Sequence, residues 1–526
     1  MTSMSKSMPG RHSIIRIPNI ADHFHTNEPP DDVDVQIFSN TLRSAQDREP
    51  FLLEDIRYLK TALDHHIEEL SRVQQTIREY KFVLSPVRRL PGELLMEIFF
   101  QVLGSEDPED VLDFDRGLWP LTHVCGNWRT LILNRTSFWT TVSLPGRMHY
   151  PPYAVHILSL FLERSGSRPI FVEFTCRDVA SLPQTLFAVL VAQSSRWETC
   201  RLRIPVFLTT HLSSRSIERA HLLRHLDLNM DLAYSSSLTT TCNKIFTGAP
   251  ALRSVKLTGI PLTTNSLGLR WSYLTRYNVA QDLPEKHLPI LRLANGLVEC
   301  TINCSLPWRQ EPLGSDIVPL RKLQRLQLEG TASVLLQYLA APALLSLKVV
   351  LPETGDSLKT FLSRSRSQLQ ELEIEAIPLG NNILDALLNA SYLRRLALNV
   401  SVHPGHRQSI VFKDLLVALK YVPNGGGSTS GSTSQCNILP HLGELALSVY
   451  TISSREYLYA DELVAMVASR SKVPGKMKEQ VPVQDQIQEH VQLKSFTLET
   501  NSYWLPPFDA FVELNQEGLQ TNIHLH

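Results

Sequence analysis

Residues 84–103 of this chain read LSPVRRLPGELLMEIFFQVL, and residues 119–144 read WPLTHVCGNWRTLILNRTSFWTTVSL. Pro91 and Glu93 suit the first turn of a helix, where a missing N–H is tolerated and a negative charge is favoured. Apolar residues then recur along one wide helical face: Leu94, Leu95, Ile98, Phe99, Val102 and Leu103. The second stretch predicts a further amphipathic helix through Leu121, Val124, Cys125, Trp128, Leu131 and Ile132. So wide an apolar surface on so small a unit predicts that part of it meets a partner.

The two stretches together resemble an F-box. The matching positions are Leu90-Pro91-x-Glu93-Leu94-Leu95-x-x-Ile98-Phe99, then Val124-Cys125-x-x-Trp128-Arg129, and a closing Phe138-Trp139 pair as in the form common in mushroom-forming fungi. The resemblance implies a three-helix domain over residues 85–144 that docks on a Skp-type adaptor of a cullin–RING ubiquitin ligase. It further implies an adaptor-binding face formed or supported by Leu90, Pro91, Leu94, Leu95, Ile98, Phe99, Val124 and Trp128. Ile98, Val124 and Trp128 could equally pack inward. Gly92 and a long acidic segment between the helices depart from the family pattern.

The composition of the chain limits the classes of protein to which it can belong. A chain of 526 residues with 43% hydrophobic and 20% charged residues is globular and is expected to form more than one unit. Its formal net charge of −1 provides no general attraction for nucleic acid. The 7 cysteines are scattered and odd in number, as in a reduced intracellular protein. Because neither a secretory signal nor a membrane span is evident, we expect a location in the cytoplasm or nucleus.

A heptad pattern precedes the F-box-like stretch. Residues 1–40 lack periodicity and are expected to be disordered, whereas residues 50–84 predict a long helix. Its apolar positions alternate at intervals of four and three, with one histidine: Leu52, Ile56, Leu59, Leu63, His66, Leu70, Val73, Ile77, Tyr80 and Leu84. Pro86 is expected to end the helix. These heptad positions form one apolar seam along the helix. The seam predicts either self-association as a coiled coil or packing back onto the rest of the chain.

A unit of the form apolar-x-x-apolar-x-apolar recurs after residue 150. Its first copies begin at Trp197, Leu223, Leu252, Leu274, Leu297, Leu323, Leu344, Leu369 and Leu393, and successive starts lie 26, 29, 22, 23, 26, 21, 25 and 24 residues apart. Later copies begin at Leu442 and Leu493, and Leu288/Leu291/Leu293 is a competing copy. These intervals fall in the leucine-rich-repeat range of roughly 20–29 residues. Each copy predicts a short strand followed by a return helix or loop, such as the one through Ile383 and Leu387.

The chain is therefore expected to be an α+β multidomain protein: a long N-terminal helix, a three-helix F-box, and an α/β leucine-rich-repeat-like solenoid over residues 150–526. Residues 424–435 and 469–486 are polar or low-complexity and are expected to loop out of the stack. The usual turn asparagine is absent after the repeats, with Thr331 and Ser401 among the residues in its place. An irregular α/β repeat array is the alternative.

Chemical motifs are not evident in the sequence. Cys300-x-x-x-Cys304 lacks a second pair at zinc spacing and is better explained as two buried thiols. His65-His66-x-x-Glu69 and the loop histidines His403 and His406 do not form a ligand set. We therefore expect no catalytic residue, no metal and no cofactor.

Two functions remain open at this point. The first is a substrate-recognition subunit of an SCF-type ubiquitin ligase, with a Skp-type adaptor, a cullin and an unidentified protein substrate as partners. In that case Trp271, Tyr273, Trp308, Tyr457 and Tyr459 are candidate substrate anchors, although ordinary packing is the simpler role. The second is a repeat scaffold without a role in ubiquitin transfer.

Overall fold

The computed structural model describes the chain apart from residues 1–23, 25–27, 105–107, 177–180, 213–219, 232–244, 261, 266, 281–282, 309–315, 352–355, 377–381, 402–406, 423–437, 451–458, 473–490, 502–507 and 526. The chain divides into two compact units, Met1–Leu95 and Met96–His526. Some sequence predictions lie outside the described residues: those for 424–435, most of 469–486, Cys242, His403, His406, Cys436 and Tyr457.

The first unit contains the expected long helix, α1 (Asp32–Val83), which is 52 residues long. Its start is capped by Asp31, whose Oδ1 accepts a hydrogen bond from the Asp34 N–H at 2.8 Å. Because this cap and an acidic first turn favour a helix start, α1 begins at Asp32 rather than at residue 50, and residues 32–40 are helical rather than disordered. The helix stops at Val83, as Pro86 predicted, and a 3-10 turn follows at Pro86–Arg89.

Short helices follow in the F-box-like stretch. They are α2 (Gly92–Leu103), α3 (Leu118–His123) and α4 (Gly126–Leu133), followed by a 3-10 turn at Thr136–Trp139. The second predicted helix is therefore two helices, because Cys125 has an extended backbone (φ −161°) at the start of α4. The division between the two units falls within α2.

The second unit contains a large parallel sheet. The strands are β1 (Thr141–Leu144), β2 (Ile170–Thr175), β3 (Trp197–Pro205), β4 (His225–Asp231), β5 (Ser254–Thr258), β6 (Arg276–Ala280), β7 (Glu299–Cys304), β8 (Val318–Pro319), β9 (Arg325–Gly330), β10 (Leu339–Ala340), β11 (Ser346–Leu351), β12 (Glu371–Ala376), β13 (Arg395–Ser401), β14 (Glu444–Tyr450), β15 (Ser495–Thr500) and β16 (Gln520–Leu525). All except β8 and β10 form one 14-stranded sheet in chain order, and β8 pairs with β10 in a small second sheet.

The register of this sheet follows the predicted triplets. Leu347 of β11 lies opposite Leu326 on one side and Leu372 on the other. The same alignment continues through the neighbouring strands, so the second and third members of each triplet form two continuous buried rows. Alternating side chains point to opposite faces of a strand, and the apolar ones are inside. The prediction of a short strand is confirmed at each triplet of the main series.

Helices connect many of these strands. They are α5 (Ala154–Arg164), α6 (Ser181–Val191), α7 (Thr209–Leu212), α8 (His287–Leu293), α9 (Asp356–Ser365), α10 (Ile383–Leu388), α11 (Arg407–Leu419), α12 (Ala460–Ser471) and α13 (Phe508–Gln516). The competing triplet Leu288/Leu291/Leu293 belongs to α8 and not to a strand. Residues 469–471, which were assigned to a looped-out tract, are the last residues of α12.

The structure describes no helix with both the length and the apolar character of a membrane-spanning segment.

Candidate partner-binding surfaces

Helix α2 has one buried and one exposed apolar side. Leu95 and Phe99 are 2% and 1% exposed, whereas Leu94, Ile98 and Val102 are 52%, 43% and 64% exposed. Residues four apart lie above one another on a helix, so the three exposed side chains form a continuous ridge along α2. An apolar ridge of this kind is typical of a surface that a partner covers.

The segment between α3 and α4 adds further exposed apolar surface. Val124 is 52% exposed, and Cys125 beside it is exposed as well. Both residues lie at the break between the two helices, where the chain changes from helical to extended backbone. A single continuous helix would have rotated these side chains to other positions. The break therefore decides their exposure.

A cluster of aromatic rings holds this part of the second unit together. Trp128 contacts Phe99 edge-on at 4.6 Å between ring centroids, and Phe138 stacks on Phe100 at 4.3 Å. Trp139 packs against Phe161 of α5 at 4.8 Å, and its indole N–H donates to the Ile132 carbonyl at 3.0 Å. The Phe138-Trp139 pair is thus core that joins the short helices to the first helix of the sheet region.

The eight residues assigned to an adaptor-binding face differ in exposure. Pro91, Leu94, Ile98 and Val124 are exposed, Leu90 and Trp128 are half-buried, and Leu95 and Phe99 are buried. The buried pair can only support such a face from below, while the exposed members can contact a partner directly. Val102, which was not among the eight, is the most exposed apolar residue of α2. Val102 follows Leu94 by eight residues, a spacing that places both on the same side of a helix, so the sequence already indicates that it belongs to the ridge.

A cavity of about 430 Å³ lies beside the aromatic cluster, lined among others by Phe100, Trp119, Ser137 and Phe138. The hydroxyl of Ser137 is buried without a hydrogen-bond partner among the described residues. Asp110, also in the lining, forms an ion pair with Arg147. Five of the lining residues are aromatic and the others are aliphatic or polar, and the Asp110 carboxylate is already neutralised by its partner.

The outward side chains of the sheet form a second candidate surface. Charged residues on neighbouring strands pair across it: Asp227 with Lys256 at 3.4 Å, Glu299 with Arg276 at 2.9 Å and with Arg325 at 3.2 Å, Glu373 with Lys348 at 2.7 Å, and Glu444 with Arg395 at 3.8 Å. A hydrogen bond to Glu373 raises the pKa of Lys348 above its ordinary value. Such exposed pairs contribute little to the stability of the fold.

The candidate aromatic anchors are mostly part of the packing. Trp271 is buried and donates its indole N–H to the Thr264 carbonyl at 2.7 Å. Trp308 stacks on Tyr338 at 5.5 Å. Among the candidates that the structure describes, Tyr273 is the exposed one, at 51%, with the Arg253 guanidinium 5.6 Å from its ring centroid.

The cysteines near residue 300 are buried in the core. Burial raises the pKa of the Cys300 thiol to about 12. The Cys304 sulfur lies 3.6 Å from Nε2 of His287, and the Nδ1 of that histidine lies 2.8 Å from the Tyr277 hydroxyl. Within the part of the chain that the structure describes, His, Cys, Asp and Glu side chains do not gather in groups of three that could hold a metal.

Comparison with models of protein families and with curated proteins finds no match for this chain.

Proposed function

We propose that this protein is the substrate-recognition subunit of an SCF-type cullin–RING ubiquitin ligase. In this role the F-box-like stretch binds a Skp-type adaptor, and residues 150–526 form a leucine-rich-repeat-like solenoid that binds the substrate. The protein performs no bond chemistry itself. It holds a substrate close to the conjugating enzyme and so raises the effective concentration of the reacting groups.

The observation that carries the proposal is the exposed apolar ridge of α2. Leu94, Ile98 and Val102 are about half exposed on a helix whose opposite side is buried. The F-box resemblance supplies the kind of partner, because two of the three ridge residues, Leu94 and Ile98, are motif positions that the resemblance assigns to the adaptor. Covering each of these side chains would contribute about 1–2 kcal/mol to binding.

The substrate is placed on the outward face of the parallel sheet. Its acidic–basic pairs between neighbouring strands can select a partner of complementary charge pattern, as in other electrostatically matched interfaces. Tyr273 beside Arg253 adds an amphipathic contact of the type enriched at binding hot spots.

The test of the adaptor interaction is co-purification of the full chain with a Skp-type adaptor. The variant Leu94→Ala/Ile98→Ala removes exposed side chains and should fold normally, while binding weakens roughly 30-fold or more. Leu95 is left intact because it is buried.

A matched control is available on α11, where Ile410 and Val417 are 56% and 50% exposed. The variant Ile410→Ala/Val417→Ala removes similar apolar surface away from the F-box-like stretch and should bind the adaptor as the native chain does. If the folded native chain does not bind the adaptor, or if both double variants weaken binding equally, the ligase proposal fails. A repeat scaffold without a role in ubiquitin transfer would then be the better explanation.

A further inference from the structure

Helix α1 of the first unit carries an apolar seam whose side chains are exposed. None of the described residues of this 52-residue helix is buried. The seam residues Leu52, Ile56, Leu59, Leu63, Leu70, Val73, Ile77 and Tyr80 are 47–66% exposed. A helix with this pattern is stabilised in water chiefly by packing its apolar side, because helix propensity alone supports long helices only marginally.

The polar groups of α1 satisfy one another on the opposite side. Arg72 pairs with Glu68 at 2.6 Å, and the Gln75 amide donates to Glu79 at 2.8 Å. In a heptad with Ile56 at position a, these residues occupy positions c and f, away from the seam. These polar groups are therefore paired within the helix itself, whereas the seam residues remain exposed.

The residues that flank the seam suit a second copy of the same helix in parallel. Residue g of one helix meets residue e of the following heptad in its partner, which places Asp55 beside Lys60 of the second copy. The next such pairs are Ala62 with Ile67, Glu69 with Gln74, and Thr76 with Lys81. None of these four pairs brings like charges together, and the pair of Asp55 with Lys60 is attractive.

The antiparallel arrangement is less favourable. Full overlap of two antiparallel seams brings Glu69 opposite Glu69 of the second copy at the centre, which is a repulsive pair. It also sets His66 against Leu70, where the imidazole would lie among aliphatic groups. In the parallel register the two His66 rings meet, and one imidazole can donate a hydrogen bond to the other.

We infer that two copies of this chain associate through α1 as a parallel, in-register, two-stranded coiled coil whose register is set by the His66 layer. A polar residue at one core position of a coiled coil specifies register and strand number in this way. The first of these heptads, with Ile56 at position a and Leu59 at position d, follows the pattern that favours two strands. The assembly carries two copies of each partner-binding surface, so a partner with two binding sites is held with increased avidity.

The first experiment measures the mass of the full chain by sedimentation equilibrium over a range of micromolar concentrations. The expected mass is about 119 kDa, twice the 59.5 kDa of one chain. The variant Leu63→Glu/Leu70→Glu places charges in the seam and should yield monomers. The control Thr61→Glu/Ser71→Glu adds the same charges on the outer side of the helix and should remain dimeric.

The second experiment determines the orientation. A His66→Cys variant in a Cys125→Ser background should form a disulfide-linked dimer under mild oxidation, because parallel strands place the two positions in contact. A monomeric native chain, a trimeric mass, or equal behaviour of the seam and control variants overturns the inference. So does cross-linking that occurs only between a His66→Cys chain and a Leu70→Cys chain. These outcomes do not depend on adaptor binding.

Discussion

The indole ring of Trp128 lies edge-on to the phenyl ring of Phe99, with 4.6 Å between the ring centroids. This contact joins α4 to α2 inside the second unit. It turns Phe99 inward, so that Ile98 and Val102, its neighbours on α2, remain on the exposed side. One aromatic pair thus separates the core of the short helices from the apolar ridge.

Replacement of Trp128 by alanine should therefore destabilise the protein. We expect Trp128→Ala to lower the free energy of unfolding by about 2–4 kcal/mol, since a large half-buried ring is lost from a packed cluster. Ile98→Ala should change it by about 1 kcal/mol or less, because Ile98 is already 43% exposed and alanine is the better helix former. Urea denaturation followed by circular dichroism measures both values, and similar losses for the two variants would contradict this assignment.

Gly330 ends β9 with a backbone that favours glycine. Its φ is +60°, and a Cβ at this position would lie 2.2 Å from the Cys304 carbonyl oxygen. We expect Gly330→Ala to lower the free energy of unfolding by about 2 kcal/mol or more, because both the left-handed backbone and the backbone clash oppose it.

Gly126 of α4 provides the matched control, since a Cβ there meets no atom within 4 Å among the described residues. Gly126→Ala should be neutral or stabilise by up to about 1 kcal/mol. Thermal melting of the two variants should shift in clearly different ways. A Gly330→Ala protein that melts with the native chain would refute the turn geometry.

Arg470 of α12 is buried and donates to the carbonyls of Leu419, Ile438 and Leu439. Burial lowers the pKa of its guanidinium to about 10, which leaves it charged at neutral pH. The single ammonium group of lysine cannot reproduce the arrangement in which the guanidinium donates to all three carbonyls. Arg470→Lys should therefore lower the free energy of unfolding by about 2–4 kcal/mol. The exposed Arg395→Lys should cost less than about 0.5 kcal/mol. Equal chemical-denaturation midpoints would show that the three contacts contribute nothing.

The contacts of Arg470 also lead us to expect that residues 425–434 can be deleted without loss of the fold. Leu419 and Ile438 flank residues 424–434, so the Arg470 contacts hold the chain on both sides of this insertion. Deleting residues 425–434 should change the free energy of unfolding by about 1 kcal/mol or less, because the entropy of closing a chain segment between two fixed points changes only slowly with its length. A deletion variant that unfolds or aggregates would show that the insertion contributes to the core.

Thiol reactivity should separate Cys125 from Cys300. Cys125 is exposed, whereas burial raises the pKa of the Cys300 thiol to about 12 from an ordinary 9.0. Iodoacetamide at pH 8 should modify Cys125 rapidly and Cys300 only on unfolding, as read by mass spectrometry. The Cys300 thiol loses its proton at a lower pH in the unfolded state than in the folded state. The free energy of unfolding should therefore fall as the pH rises from 9 towards 12. Equal modification rates in the folded protein would contradict the burial.

The repeats show how much of the fold can be predicted from local sequence. The triplets from Trp197 to Leu493 predicted the strands, because two inward apolar residues separated by one position describe a half-buried strand. The same spacing in Leu288/Leu291/Leu293 belongs to helix α8. A short apolar run satisfies both patterns, and pairing with adjacent strands decides between them. The last strand, β16, was missed because Thr521 stands at an inward position, opposite Phe496.

By itself, the sequence determined the N-terminal helix from residue 50 onward, the short strands at the repeat triplets and the apolar residues of the F-box-like stretch, since each depends on periodicity within a few turns or one strand. Tertiary structure alone decided which of those apolar residues remain exposed. Leu94 and Leu95 are adjacent and equally hydrophobic, yet they are 52% and 2% exposed. The physical reason is that a wide apolar stripe offers several sides for burial. Packing of large rings such as Trp128 on Phe99 selects one of them.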